Sequence, residues 1–422
     1  MRRPRPRTAA PTREAVVEIT AVGAAGDGLG SGPVYVPFTL PGEQVRAAVS
    51  GDRAELLEVL RPSPERVAPV SPHYGRCGGC QLQHWAHAPY LAWKVEQLRR
   101  ALARERLETE ILPAFAALPG RRRRLGLHAR RGPNGVRLGF KQRRSWDVVD
   151  VQVCPVADSR LEAAFPGLRR LAAPFLEHPS SAPILHVTLT ETGVDVDVTG
   201  VEAKSGGLSA DARRRAADAA AAADLARVTM SGEVVFQARA PTVRFGKGSV
   251  VLPPGGFLQA VSEAETAMAD FALAHAAGAR QVADLFCGAG AFAFRLAEVA
   301  TVHAADSDAG AIAALRAGLA TAAGLKSITA EARDLYRRPV LAQELKATDV
   351  VLFDPPRAGA AEQTSQIAQS RVPRVVAVSC NPVTFAADAR TLVDAGFTLE
   401  RVLPVDQFLW SAHMELAAVF SR

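Results

Sequence analysis

No apolar stretch in the sequence approaches the ~18 to 20 residues that a membrane-crossing helix needs. Its opening, MRRPRPRTAAPTR, lacks the apolar centre of a secretion signal. Membrane and secreted classes are set aside, and a cytoplasmic protein is expected. Cysteine is scarce, five in 422 residues. In a compartment that keeps thiols reduced, these are not a disulfide framework, and each thiol has to be accounted for by packing, metal binding or catalysis. Internal repeats are absent too, so the chain is not a repeat array. Acidic residues are outnumbered, 43 against 50 Lys and Arg, for a formal net charge of +7.

The basic excess is concentrated in GRRRRLGLHARRG (120–132) and FKQRRSW (140–146). One such run alone reads as a solvated face. Two nearby runs interleaved with His128, Phe140 and Trp146 fit phosphate contacts with base stacking, which makes nucleic acid the leading partner class. The arginine- and proline-rich residues 1–13 cannot form a core and read as a disordered basic arm.

A hydrophobic content of 48% with 22% charged residues allows two or three domains with large cores. Residues 14–66 give short strands between glycine-rich turns, a small β-barrel pattern. A Cys/Gly loop follows, then a helical stretch with Leu91, Val95, Leu98 and Leu102 at three- and four-residue spacing. A second β-rich region spans 112–250, interrupted by an alanine-rich helix. Beyond it QVADLF, TVHAAD, DVVLFD, RVVAVS and HMELAAVF alternate with helices, which predicts a mostly parallel, doubly wound α/β sheet. The expected division is therefore an arm (1–13), a barrel (14–66), a central domain (67–88 and 112–250) and a Rossmann-like domain (89–111 and 251–422).

VADLFCGAGAFAFRLA (282–297) reads as strand, glycine turn and helix, which brings backbone close to a ligand. Asp306 ends the next strand, where a carboxylate accepts the ribose hydroxyls of a nucleoside. Dinucleotides and S-adenosylmethionine both satisfy that pattern. The turn is not G-x-G-x-x-G, and the later DPPR and SCNP strand ends offer no nicotinamide chemistry, so the reading moves to S-adenosylmethionine. Cys287 in the turn reads as packing. Asp334 in EARDLY faces either the adenine amino group or solvent. Asp354, Cys380 and Glu415 place three polar groups at the edges of successive apolar strands.

Taken in order, GDGLG and LPGE, HYGRCGGCQLQH, LGFKQRRSWDVVDVQVCPV, GGFLQA, DLFCGAG, DPPRAG, VSCNP and HMEL resemble the RNA 5-methyluridine methyltransferases that act on 23S rRNA and the tRNA T-loop. The resemblance implies a class I S-adenosylmethionine-dependent fold behind an N-terminal TRAM barrel, with structured RNA as substrate, 23S rRNA favoured over tRNA, and a monomeric enzyme. It implies that Cys380 adds to C6 of uracil, that Glu415 removes the C5 proton, and that Asp354 positions base or cofactor. Gln259, Phe286, Gly288, Asp306, Asp334 and Asp354 match cofactor contacts. Cytosine-directed relatives resemble a pattern with a second cysteine in the DPP loop. Here Arg357 stands there, so uracil is preferred.

Iron–sulfur members of the family carry four cysteines where this sequence has Ser71, Cys77, Cys80 and Cys154. Three thiolates leave open a [4Fe–4S] cluster completed by serine, a three-iron cluster, zinc, or no metal. Ala291 replaces a polar residue common after the glycine turn, and Asp306 is shorter than the usual glutamate. Two competing readings are an N-directed methyltransferase of the same fold, which leaves Cys380 and Glu415 unemployed, and a non-catalytic RNA-binding or chaperone protein.

Overall fold

Glycine at two positions crowded by neighbouring side chains lets five strands close into a barrel, in the order Arg13–Val22, Gly28–Gly30, Tyr35–Val36, Arg53–Arg61 and Gln44–Ser50. A Cβ on Gly28 would sit 2.0 Å from Thr39, and one on Gly30 2.3 Å from Val17. Alternation points Val17, Ile19, Val36, Val45 and Ala47 inward. The computed structural model describes residues 12–133, 135–203 and 207–422. All but the last two residues of the expected basic arm lie outside the described residues. The barrel belongs to a compact unit running to Gln97 and including Trp410–Ala412, while Leu98–Leu409 with His413–Arg422 form a second unit.

The second unit is built on two large sheets. The first has seven strands in the order Val148–Asp150, Gly135–Lys141, Arg124–Gly132, Ile184–Thr190, Gly193–Thr199, Arg227–Met230 and Glu233–Gln237. Its strands alternate apolar and polar residues, with the helices Phe165–Ala172 and Ala210–Ala222 packed against it. The second sheet has nine strands, and its central members VVLF (Val350–Phe353) and RVVAVS (Arg374–Ser379) are almost wholly buried. Continuous apolar runs of this kind belong to sheets covered on both faces. Separate apolar cores lie on the two sides.

Strands Ile328–Ala332, Thr301–Asp306, Gln281–Leu285, Val350–Phe353 and Arg374–Ser379 run parallel in that spatial order. Glu415–Ser421 then inserts antiparallel between Arg374–Ser379 and Thr398–Asp406. The short strands Glu110–Ile111 and Phe115–Ala116 pair with Thr398–Asp406 at the edge. The mostly parallel, doubly wound expectation is met, with a reversed strand next to its parallel centre.

Candidate active site

The glycine turn after Gln281–Leu285 begins on a strained residue. Phe286 has φ +62°, a costly value for a bulky side chain, and its N–H donates to Ala305 at 2.8 Å. At Gly290, with φ +97°, a Cβ would meet Leu315 at 2.9 Å, so glycine is required. Asp306 fastens the turn from the adjacent strand. Its Oδ2 accepts the Gly288 N–H at 2.9 Å and its Oδ1 accepts the Asp308 N–H at 2.8 Å. The Phe286 ring lies 5.7 Å from that of Tyr336, whose hydroxyl donates to the Gly359 carbonyl at 3.0 Å. Asp334 accepts the N–H groups of Tyr336 and Arg337 at 3.1 and 3.3 Å, so one carboxylate oxygen shapes the loop that presents Tyr336. Cys287 is buried in the core on one side of the sheet.

Sequence reasoning missed Asp284. This carboxylate is fully buried in the apolar strand VADLF, and among the described residues neither oxygen makes a hydrogen bond of normal geometry. Burial drives its pKa well above the ordinary range, and the charges of Asp354 and Asp306 add to the shift, while the Ala293 backbone amide pulls it partly back. The sequence signal was an acid inside an otherwise apolar strand.

Asp354 follows Val350–Phe353, and its N–H donates to Leu285 at 3.2 Å, which ties two strand ends together. The loop behind it is held by Tyr336 at Gly359, by Asp388 accepting the Ala360 N–H at 3.0 Å, and by Asn381 donating to the Arg357 carbonyl at 3.2 Å. A chain of amides then crosses the cleft. Gln259 Nε2 donates to Asp354 Oδ2 at 3.2 Å, and Gln407 Nε2 donates to Gln259 Oε1 at 2.7 Å. Gln407 Oε1 accepts the Val261 N–H at 3.2 Å, and the Gln407 side chain also hydrogen-bonds Glu415. Gln407 is a second residue missed from sequence.

Cys380 immediately precedes Asn381, whose side chain caps the helix Pro382–Asp394 by accepting the Val383 N–H at 3.1 Å. The register between Arg374–Ser379 and Glu415–Ser421 pairs Ser379 with Leu416. Cys380 follows Ser379 and Glu415 precedes Leu416, so thiol and carboxyl each lie one residue beyond that pair, close enough for the Glu415 and Asp354 carboxylates to act on the thiol. The structure thus brings Asp354, Cys380 and Glu415 together with Gln259, Phe286, Gly288 and Asp306.

Their electrostatics are those of a crowded acid pocket. Burial, with Asp306 nearby, pushes Asp354 up to about 7. Burial, with Asp354 nearby, pushes Glu415 up to about 8. Burial and the two carboxylates push Cys380 up to about 11, against the opposing pull of Arg357. Such a site stabilises a cation, and the positive sulfonium and ammonium groups of S-adenosylmethionine fit it.

Ser71, Cys77, Cys80 and Cys154 are the residues the resemblance sets aside for a cluster. Among the described residues no group of three or more His, Cys, Asp or Glu side chains is placed to hold a metal ion. Ser71, at the position of the missing thiolate, serves its own loop: its N–H donates to Gln83 at 3.0 Å and its hydroxyl accepts the His73 N–H at 3.2 Å. Cys77 is drawn into the loop as acceptor of the Gly79 N–H at 3.4 Å. Cys154 is buried, its N–H donating to Glu162 at 2.8 Å. No step of the chemistry is assigned to a metal.

The family model described as tRNA (Uracil-5-)-methyltransferase matches residues 251–422. A Caulobacter vibrioides RNA methyltransferase is 64% identical over 410 residues, 96% of this chain and 99% of that one. The 23S rRNA (uracil(1939)-C(5))-methyltransferase of Halomonas elongata is 34% identical across 94% of this chain and 88% of its own. The chain belongs to the RNA uracil-5-methyltransferase family. Its fold is that of the Pyrococcus abyssi tRNA (uracil-54, C5)-methyltransferase solved with S-adenosyl-L-homocysteine, with a TM-score of 0.73, 96% of this chain and 99% of that chain covered, and 23% identity. Members of this family are S-adenosylmethionine-dependent enzymes, and the acid pocket at the glycine turn fits that cofactor.

Proposed function

We propose that the chain methylates C5 of a uridine in structured RNA, with 23S rRNA preferred to tRNA, through a covalent bond between Cys380 and C6 of the base. The observation that supports this reading is a thiol that follows one strand end and a buried carboxyl that opens the adjacent strand, close enough for the carboxylate to act on the thiol. Asp284, Asp306, Gln259 and Phe286 would hold S-adenosylmethionine, which supplies an electrophilic methyl group when bound. Asp306 retains free lone pairs for ribose hydroxyls. Asp354, held by Gln259, orients base or cofactor rather than exchanging a proton.

Cys380, pushed up to about 11 in the free protein, first gives up its proton to solvent and then acts as a thiolate. Its sulfur bonds to C6 as the C5=C6 π pair moves toward the O4 carbonyl, which makes C5 nucleophilic. The cap of the helix Pro382–Asp394 lies beside the sulfur, and that helix end favours negative charge there. After C5 has gained its methyl group, Glu415 takes the C5 proton, the C6–S bond breaks, and the double bond returns. Gln407 orients Glu415 for that transfer. The target base must leave its stack to reach a thiol at the strand ends. The relatedness to the Halomonas elongata 23S rRNA enzyme supports the rRNA preference.

Mass spectrometry of 5-methyluridine at individual rRNA and tRNA positions, in cells with and without the protein, tests the substrate. Loss of one 23S rRNA position is expected, and loss at a tRNA position alone would reverse the preference. RNA containing 5-fluorouracil should trap the wild-type chain covalently and leave Cys380→Ala untrapped.

A further inference from the structure

The basic run 120–132, uniform as text, is divided by its fold. Alternation along Arg124–Gly132 buries Leu125, Leu127 and Ala129 and leaves Arg124, Gly126, His128 and Arg130 half-buried on the opposite face. Other members of the run are spent on structure: Arg123 pairs with Glu265 at 2.8 Å, and Arg121 lies 3.5 Å from Glu263. On the neighbouring strand Arg137 stands directly across from Arg130. Like charges in that position are destabilising, yet among the described residues neither faces a carboxylate, and Arg130 donates only to the adjacent Ala129 carbonyl. His128 has a buried Nδ1 without a hydrogen-bond partner among the described residues. Burial, with Lys141, Arg130 and His186 nearby, holds this ring near 4, so it is neutral at physiological pH.

Two exposed aromatics flank this face, each under a cation. Trp146 is 79% exposed with the Lys141 ammonium 3.9 Å from its centroid, and Phe257 is 66% exposed with the Arg124 guanidinium 5.3 Å from its own. Between Arg124 and His128 the surface is open, since a Cβ on Gly126 would meet nothing within 4 Å. The near end of the strand is tied to the cleft: Arg124 Nη1 donates to the Leu258 carbonyl at 3.1 Å and Arg123 Nε to that of Gln259 at 2.9 Å. Gln259 is the residue whose amide reaches Asp354.

We infer that this sheet face is a track for a single-stranded RNA segment beside the target base. Arg124, Arg130 and Arg137 take its phosphates, Phe257 and Trp146 stack its bases, and the strand is led into the carboxylate cleft. The inference rests on the proposed methylation reading and names what that reading leaves open, the state of the RNA next to the uridine. Paired bases cannot stack on side chains, so the aromatic platforms select an unpaired segment. An acidic protein would engage the cations but leave two aromatic platforms without a use.

The test compares wild type with Arg130→Ala/Arg137→Ala, Trp146→Ala and Gly126→Asp. The probe is a uridine-containing single-stranded oligoribonucleotide, alongside the same sequence as a duplex. The double variant removes a repulsive pair and so keeps the fold. It should weaken single-strand binding about tenfold or more and make the log–log salt slope shallower by roughly 1.4, about 0.7 for each phosphate no longer neutralised. Trp146→Ala should cost about tenfold. Gly126→Asp places a negative charge on open surface and should weaken binding to a similar degree. KM for RNA rises in all three, while kcat at saturating RNA stays unchanged.

Unchanged affinity in the double variant and in Gly126→Asp overturns the track, and equal wild-type affinity for duplex and single strand overturns its single-stranded character. If the wild-type chain makes no 5-methyluridine but these variants still lose RNA, the methylation reading falls and the track stands. If methylation proceeds and the variants bind as wild type, only the track falls.

Discussion

The cleft at the end of the nine-stranded sheet and the Arg130–Arg137 edge of the seven-stranded sheet carry opposite charges, and each is short of its counter-charge. In the cleft Asp354 and Glu415 are held up near 7 and 8 and Asp284 is driven well above its ordinary range. On the sheet face Arg130 opposes Arg137, and the basic surroundings help hold His128 down near 4. Neither arrangement favours the protein on its own. Under the readings proposed above, each becomes favourable with one kind of partner, a sulfonium cation in the cleft and phosphates on the face. The difference teaches that the two substrates are told apart by sign before shape.

The comparison breaks most completely at Cys380. Cys380→Ala should lower methyl transfer by about 10⁴-fold or more in single-turnover assays while cofactor and RNA binding persist. Retained activity would end the covalent reading. Glu415→Gln should cost about 10²–10⁴-fold. It should also let the methylated adduct accumulate as a denaturant-stable protein–RNA complex on gels, because the C5 proton has nowhere to go. Asp284→Asn should weaken S-adenosylmethionine about tenfold or more by calorimetry, in the range expected for a charge-assisted contact. The same change should raise the melting temperature of the ligand-free protein at pH 8, since burial disfavours the ionised form that this acid adopts in the unfolded chain.

The pH dependence sharpens the contrast further. Asp354 and Glu415 have folded pKa values raised from 3.8 and 4.5 to about 7 and about 8, so the native state holds protons that the unfolded chain has released. Between about pH 4 and pH 8 the ligand-free protein therefore loses stability as pH rises. Melting followed by calorimetry at pH 6 and pH 8 should show the lower midpoint at pH 8, and saturating S-adenosylmethionine should shrink the gap. Gln407→Met carries the smallest effect. A loss of about fivefold in kcat is expected, with the alkaline-rising limb of the rate profile moved to higher pH, because Glu415 loses the hydrogen bond that favours its charged form.

Much of this was legible in the sequence for a physical reason. A thiol at the end of RVVAVS and acids at the ends of DVVLFD and TVHAAD mark the carboxyl edge of a parallel sheet, where local pattern alone fixes position. Gln407 was not legible because its meaning lies in contact with Gln259, 148 residues away. Asp284 was hidden inside an apolar strand whose pattern otherwise read as core. The basic run was visible as charge, but not which arginines remained available. That depends on Glu265 and Glu263 arriving from a distant helix and on the pleat dividing odd from even positions.

The insertion of Glu415–Ser421 between two strands has a consequence for how the protein ages and is made. Both edges of that strand are occupied, so its central amides, Leu416 to Val419, can exchange with solvent only when the sheet as a whole opens. A chain that has not threaded this segment lacks Glu415 and also leaves Thr398–Asp406 detached from the parallel strands. In deuterium labelling, the slowest-exchanging core should coincide with the strand that carries Glu415.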